Sequence, residues 1–275
     1  MHNVLIALET DLASGIAIRY ADQLEKKMRF NMQALHVPDM DKNGPSPGSG
    51  WVHKKWEDGV IDNAKKEISK LVKEDLFYCY LTQTPKIIPG EKETVILNEM
   101  WGKHYDFFME GFLHSFEPDR FFEKIDSDLY KKLSCPVIMV KNLINMDMGL
   151  QIVGTPETIP LAVMWLLKLL KDWSTKPDIL VCHFETSMDH TTTLDNDPVL
   201  LLNIEKRFAQ SGSEAGTIRT IKGPPGELSL FVRDHALMVS VLPRHSGPMA
   251  RMLSMSPCPI MLCPEPESNK HNFVR

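Results

Sequence analysis

The sequence is short of several features that would each point to a function. Its 275 residues include five cysteines (Cys79, Cys135, Cys182, Cys258 and Cys263) and no Cys-x-x-Cys pair. The number is odd, and four of the five sit in apolar strand-like runs. This argues for reduced, buried thiols, and against a disulfide framework, a zinc ribbon or a dithiol redox centre. Basic charge is also missing: the formal net charge is −5, split as −3 over residues 1–143 and −2 over 144–275. An electrostatic footprint for nucleic acid is therefore absent. The longest apolar run, residues 159–167, falls far short of the ~18–20 residues needed to span a bilayer. The first residues lack the charged start and cleavage site of a secretory signal and read as a strand. No Gly-x-Gly-x-x-Gly, Walker loop, His-Glu-x-x-His or Gly-x-Ser-x-Gly is present. Gly212-Ser-Glu-Ala-Gly216 has its serine one place early and reads as a helix cap and turn. The expectation is a cytoplasmic protein without membrane, nucleic-acid or metal partners.

What is present is ordinary globular composition, 43% hydrophobic and 24% charged. At roughly 100–200 residues per domain the length suits two domains. Periodicity predicts strands over 3–8, 32–37, 76–81, 105–109 and 136–140. Helices are predicted around 13–28, 60–72, 94–101 and 120–133. The run Asn43-Gly-Pro-Ser-Pro-Gly-Ser-Gly50 is turn chemistry and reads as a surface loop. A second series follows: strands over 150–154, 178–184, 217–221, 236–242 and 259–262, and helices over 159–173, 198–211, 227–234 and 249–254. The polar stretch 187–197 reads as a loop. Strands alternating with helices imply crossovers and a mostly parallel sheet. The helix over 159–173 is apolar all round, which predicts burial on every side.

The two series share residues as well as order. Leu35-His36-Val37 matches Cys182-His183-Phe184, each at the end of a second strand. Cys135-Pro-Val-Ile-Met-Val140 matches Cys258-Pro-Ile-Met-Leu-Cys263. The histidines are 147 residues apart and the Cys-Pro pairs 123. The second unit is thus 24 residues shorter between these landmarks, as in a duplicated domain that has lost loops. The domains expected are 1–143 and 144–265, followed by a tail over 266–275.

Read together, Val4-Leu-Ile-Ala-Leu-Glu-Thr10, Arg19-Tyr-Ala21, Leu35-His-Val37, Tyr105-Asp-Phe-Phe-Met-Glu-Gly111 and Cys135-Pro-Val-Ile-Met-Val140 resemble the universal stress protein family. The second half matches more weakly, through His183 and Cys258-Pro-Ile-Met-Leu262. The resemblance implies an α/β fold of two tandem doubly wound five-stranded parallel sheets, Rossmann-like, with strand order 3-2-1-4-5. It also implies that the two units pair across their last strands, Val137–Val140 and Ile260–Cys263, as an intramolecular pseudo-dimer. The outer face of the apolar helix over 159–173 calls for the first domain, a second copy of the chain in a homodimer, or a ligand against it.

Many members of that family bind ATP or AMP through Gly-x2-Gly-x9-Gly-Ser/Thr after the fourth strand. Small residues there let backbone amides approach phosphates. Matched residue by residue, Gly111 takes the first glycine and His114 the second; counted back from Pro136, the Gly-Ser pair falls at Glu123-Lys124. Glu9 replaces the aspartate that contacts the adenosine. The residues that would touch a nucleotide are Ala7, Glu9, Val37, Gly111, His114 and Lys124, with Lys124 reduced to a point charge. In the second unit Val241 takes the first glycine position, only Gly247 remains before Pro248, and Pro156 stands at the aspartate position. The motif is degenerate. The reading is a non-catalytic stress-response or regulatory protein with no catalytic residues and no tight cofactor, ATP or AMP binding weakly if at all. The alternative is an adenine-nucleotide sensor with its site in the first unit. His36 and His183 read as strand-end histidines with satisfied ring nitrogens. Asp189, His190, Asp195 and Asp197 read as a solvated acidic loop.

Overall fold

The computed structural model of the protein describes residues 1–40, 50–75, 84–113, 117–169, 173, 176–185, 187 and 190–265. Short, mostly apolar runs form the strands of the first half: β1 (His2–Ala7), β2 (Phe30–His36), β3 (Lys86–Ile87), β4 (Phe107–Gly111) and β5 (Val137–Val140). Among them lie α1 (Leu12–Glu25), α2 (Trp51–Asp75), α3 (Lys92–Gly102), α4 (Pro118–Asp126) and α5 (Asp128–Lys132). The second half supplies β6 (Leu150–Gly154), α6 (Ile159–Leu169), β7 (Asp178–Phe184), β8 (Thr192–Leu194), α7 (Pro198–Gln210) and β9 (Ile218–Gly223). It ends with α8 (Pro225–Leu228), β10 (Leu237–Val241), α9 (Pro248–Met255) and β11 (Ile260–Cys263).

These strands form one sheet in the order β3-β2-β1-β4-β5-β11-β10-β6-β7-β9-β8. The first five carry the 3-2-1-4-5 order, and β9-β7-β6-β10-β11 repeats it from the other edge. Pairing within each set of five is parallel. The sets meet at an antiparallel joint, with Ile260 opposite Met139, Met261 opposite Ile138 and Leu262 opposite Val137. This register maps onto itself when residues 123 apart are exchanged, the spacing of the two Cys-Pro pairs. A pseudo-twofold axis therefore runs through the Ile138–Met261 pair. The doubly wound units form a pseudo-dimer whose last strands close each other's edge. Every residue of β5 and β11 is buried. Ile138, Val140, Met261 and Cys263 belong to one apolar layer, and Val137, Met139, Ile260 and Leu262 to the other.

The structure departs from the sequence expectations at several points. The stretch 187–197 contains β8, an antiparallel edge strand on β9. The helix expected over 120–133 is two helices, because Ser127 takes extended backbone and its hydroxyl caps α5 at the Tyr130 amide. The helix expected over 227–234 is α8 continued by a 3-10 turn, Ser229–Val232. Helix α6 is not buried on every side, since Met164 is 39% exposed. The strand expected over 76–81, the loop over 43–49 and the tail 266–275 lie outside the described residues, and the strand beside β2 is β3.

One stability effect follows from α2. Gly59 stands inside this helix on an exposed face, with open space where a Cβ would go. Gly59→Ala should raise stability by about 0.5–1 kcal/mol. Urea unfolding checks it: the midpoint rises at unchanged slope, and a lower midpoint refutes the assignment.

Candidate functional site

In a doubly wound sheet a crevice opens at the carboxyl ends of the strands, where the strand order reverses. In the first half that place lies between β1 and β4, which pair directly. The turn after β1 brings Glu9 and Asp11 there, the end of β4 brings Glu110 and Gly111, and the start of α3 brings Lys92.

Glu110 is a carboxylate in an otherwise apolar strand and is only 4% exposed. Such a group needs charged or hydrogen-bonding partners. The Tyr130 hydroxyl donates to it at 2.5 Å, and the Lys124 ammonium pairs with it at 2.9 Å. Burial first, and Glu110 second, push the Tyr130 hydroxyl well above its ordinary pKa, so it stays a donor. Glu9 pairs with Lys92. Burial works to lower the Lys92 pKa, but facing Glu110, Glu9 and Asp11 outweigh it and hold the ammonium above its usual value. Three carboxylates thus face two ammoniums.

The backbone of the crevice is equally occupied. The Asp11 carboxylate accepts from the Ser14 amide at 2.8 Å, and the Ser14 hydroxyl accepts from the Glu9 amide at 2.7 Å. These bonds turn β1 into α1 and use two amides that a phosphate cradle would want. A Cβ on Gly111 would stand 2.1 Å from the Ala13 carbonyl oxygen, so α1 rests on the bare backbone of β4. Helix α4 starts with Glu117, Pro118 and Asp119 and has no side-chain cap, which sets two carboxylates and a proline at its mouth.

The sequence-derived residues fall as follows. Glu9, Gly111 and, through Glu110, Lys124 surround this one crevice. Ala7 is buried at the end of β1, and Val37 packs on the same apolar layer. Glu123 and Lys124 lie inside α4, where their amides belong to the helix's own ladder. His114 lies outside the described residues. His36 Nδ1 is 2.7 Å from the Leu8 carbonyl oxygen, tying the end of β2 to that of β1. Sequence reasoning missed Glu110, Tyr130 and Lys92. A lone glutamate within Phe107-Phe-Met-Glu-Gly111 was the available signal.

In the second half, the Thr155 amide donates to the Thr158 hydroxyl at 2.9 Å, and this closes the turn that contains Pro156. Val241 is buried at the end of β10, and Gly247 begins α9 with Pro248 behind it and no side-chain cap. Asp197 caps α7 at the Val199 amide. Burial pushes the Cys135 and Cys182 thiols up to about 12 and raises Cys258 and Cys263 as well. None of these four is a thiolate nucleophile at neutral pH. Among the described residues, no helix is long and apolar enough to cross a membrane, and no group of three or more His, Cys, Asp or Glu could hold a metal ion.

At the level of sequence, no family model and no curated protein matches the chain. Solved structures do match. A universal stress protein from Archaeoglobus fulgidus DSM 4304 aligns over 97% of this chain and 97% of its own, with a TM-score of 0.64 and 13% identity. The fold is that of the universal stress proteins. A candidate universal stress protein from Pseudomonas aeruginosa UCBPP-PA14 aligns with a TM-score of 0.56 and 11% identity, over 96% of this chain and 93% of its own. A functionally unknown protein from Pseudomonas aeruginosa PAO1 aligns with a TM-score of 0.54 and 10% identity, over 96% and 92%. At such identities the backbone is shared and the side chains are not. The universal-stress fold says where a crevice lies, and this chain's own residues say what fills it.

Proposed function

We propose that the chain is a non-catalytic, cytosolic regulatory protein of the universal-stress type, acting in stress responses through protein contacts rather than through tightly bound ATP. One observation carries this reading: the first-half crevice holds its own ion pairs, Glu9 with Lys92 and Glu110 with Lys124 and Tyr130. A triphosphate entering there meets an excess of carboxylate, and the one lysine the resemblance offers it is already engaged. Charge-assisted hydrogen bonds contribute about 1.5–3 kcal/mol each, so losing two removes about 3–6 of the roughly 8.2 kcal/mol that micromolar affinity represents. The buried, neutral thiols support the non-catalytic part.

Calorimetry on the purified chain tests the proposal. ATP should bind with a dissociation constant above about 100 μM, equivalent to less than roughly 5.5 kcal/mol. Micromolar affinity would replace this reading with that of a nucleotide sensor, and turnover of ATP would replace it with that of an enzyme.

A further inference from the structure

The pseudo-twofold axis relates Lys141, the first residue after β5, to Pro264, the first after β11. The two ends of the seam are built differently. Lys141 is 3% exposed. Its ammonium donates to the carbonyl oxygens of Leu253 (2.7 Å), Ser256 (3.1 Å) and Ser254 (3.2 Å), at the end of α9. It also lies 4.7 Å from the centre of the Phe121 ring. Helix α9 has no basic residue in its last turn, so the other half of the chain supplies the donor that its last carbonyls lack.

At the related end, α5 carries Lys131 and Lys132 in its own last turn and needs no inserted lysine. Pro264 has only its short ring, with no donor to insert. What Lys141 fills on one side is left on the other as a cleft of about 560 Å³, within the roughly 300–1,000 Å³ of small-molecule sites. Trp101, Trp165, Lys131, Lys132, Arg244 and Glu265 line it. The Trp165 indole N–H donates to the Pro264 carbonyl at 3.0 Å, and Lys168 lies over its ring at 4.7 Å, which fixes that wall. Trp101 opposes burial: it is 64% exposed, an indole held at a cleft mouth.

Lys131, Lys132 and Arg244 line the cleft with Glu265, while Asp126 and Asp128, the partners of the two lysines, stand outside its lining. Lys131 pairs with Asp126, Lys132 with Asp128 and Arg244 with Glu265, all half-exposed pairs that a ligand's anion can join or displace. The adjoining cavity, reached past Ile125 and Arg244, is bordered by Asp119, Glu123 and Asp126. That acidic end confines an anion to the lysine end.

We propose that this seam cleft binds a small planar aromatic anion, its ring against Trp101 and its carboxylate, sulfonate or phosphate against Lys131, Lys132 and Arg244. The test is calorimetry on the full chain with 1-naphthalenesulfonate as probe and 1-naphthylmethylammonium as its charge-inverted control. The sulfonate should bind at least about tenfold more tightly than the ammonium. Trp101→Ala, at an exposed position, should weaken the sulfonate about tenfold through lost stacking, and Arg244→Gln should weaken it several-fold. Pro264→Lys, which restores the arrangement of the closed end, should abolish binding. Equal affinity for the two probes, or full sulfonate affinity in Trp101→Ala, would overturn the proposal.

Discussion

Lys141→Met is expected to cost about 3 kcal/mol at pH 7, because one buried donor serves three carbonyls that stay buried without it. The loss should also change with pH. Burial lowers the Lys141 pKa from 10.5 to about 7, with Cys258 working the other way. Between those values the unfolded chain binds a proton that the folded chain does not, so wild-type stability rises with pH across that window. Below pH 7 both states are protonated and the contribution is flat. Methionine has no such proton. The difference in unfolding free energy between wild type and variant should therefore grow by about 2 kcal/mol from pH 6 to pH 8.5. Urea unfolding at those two values measures it. The buried thiols and tyrosines, whose raised pKa values remove stability as pH rises through their unfolded values, are present in both proteins and cancel in the difference. A difference that does not vary with pH would mean that Lys141 stays charged in the folded state.

Gly111→Ala should be the other large effect, at least about 3 kcal/mol. The added methyl would stand 2.1 Å from the Ala13 carbonyl oxygen and 2.4 Å from its carbon. These are backbone atoms of the first turn of α1, so the contact cannot be relieved by a rotamer. Helix α1 would have to lift from β4, carrying Tyr20, whose buried hydroxyl donates across the seam to the Ala236 carbonyl at 2.9 Å. Gly154→Ala is the comparison. Its nearest neighbour, 2.5 Å away, is the Thr158 hydroxyl, a side-chain atom whose rotation loses the bond from the Thr155 amide but leaves the backbone in place. Thermal unfolding should show Gly111→Ala as clearly the more damaging change. Equal shifts would mean that the α1–β4 contact adapts.

The fold was legible because two periodicities agree with their punctuation. Leu150–Gly154 and Asp178–Phe184 are apolar runs bounded by Gly or Pro, and they are strands with the predicted limits. Strand β8 escaped because Thr-Thr-Leu is too short for a period of two and sits among Asp and Asn. The break at Ser127 was hidden by apolar residues that keep helical spacing across it, although Ser127-Asp128 is an ordinary cap sequence. The crevice was half legible. Motif matching found the turn after β1 and Gly111, but matching can only report which expected residues are missing. What replaces them is set by long-range pairs such as Glu9 with Lys92, whose partners stand 83 residues apart. Lys141 shows the same limit. Its partners are carbonyls, and carbonyls have no letter in a sequence.

The antiparallel joint of β5 and β11 also has a consequence in time. Strand β5 is complete at Val140, but its partner β11 is the last strand of the sheet, ending at Cys263. At about 5–20 residues per second on the ribosome, the 123 intervening residues take about 6–25 s to appear. Throughout that interval the first half presents a four-residue, wholly apolar edge with no partner in the same chain. Two nascent chains on one messenger could meet through that edge. The order of synthesis thus leaves this joint open longest of the strand pairings, with an unpaired apolar edge of the kind that templates pairing with another chain.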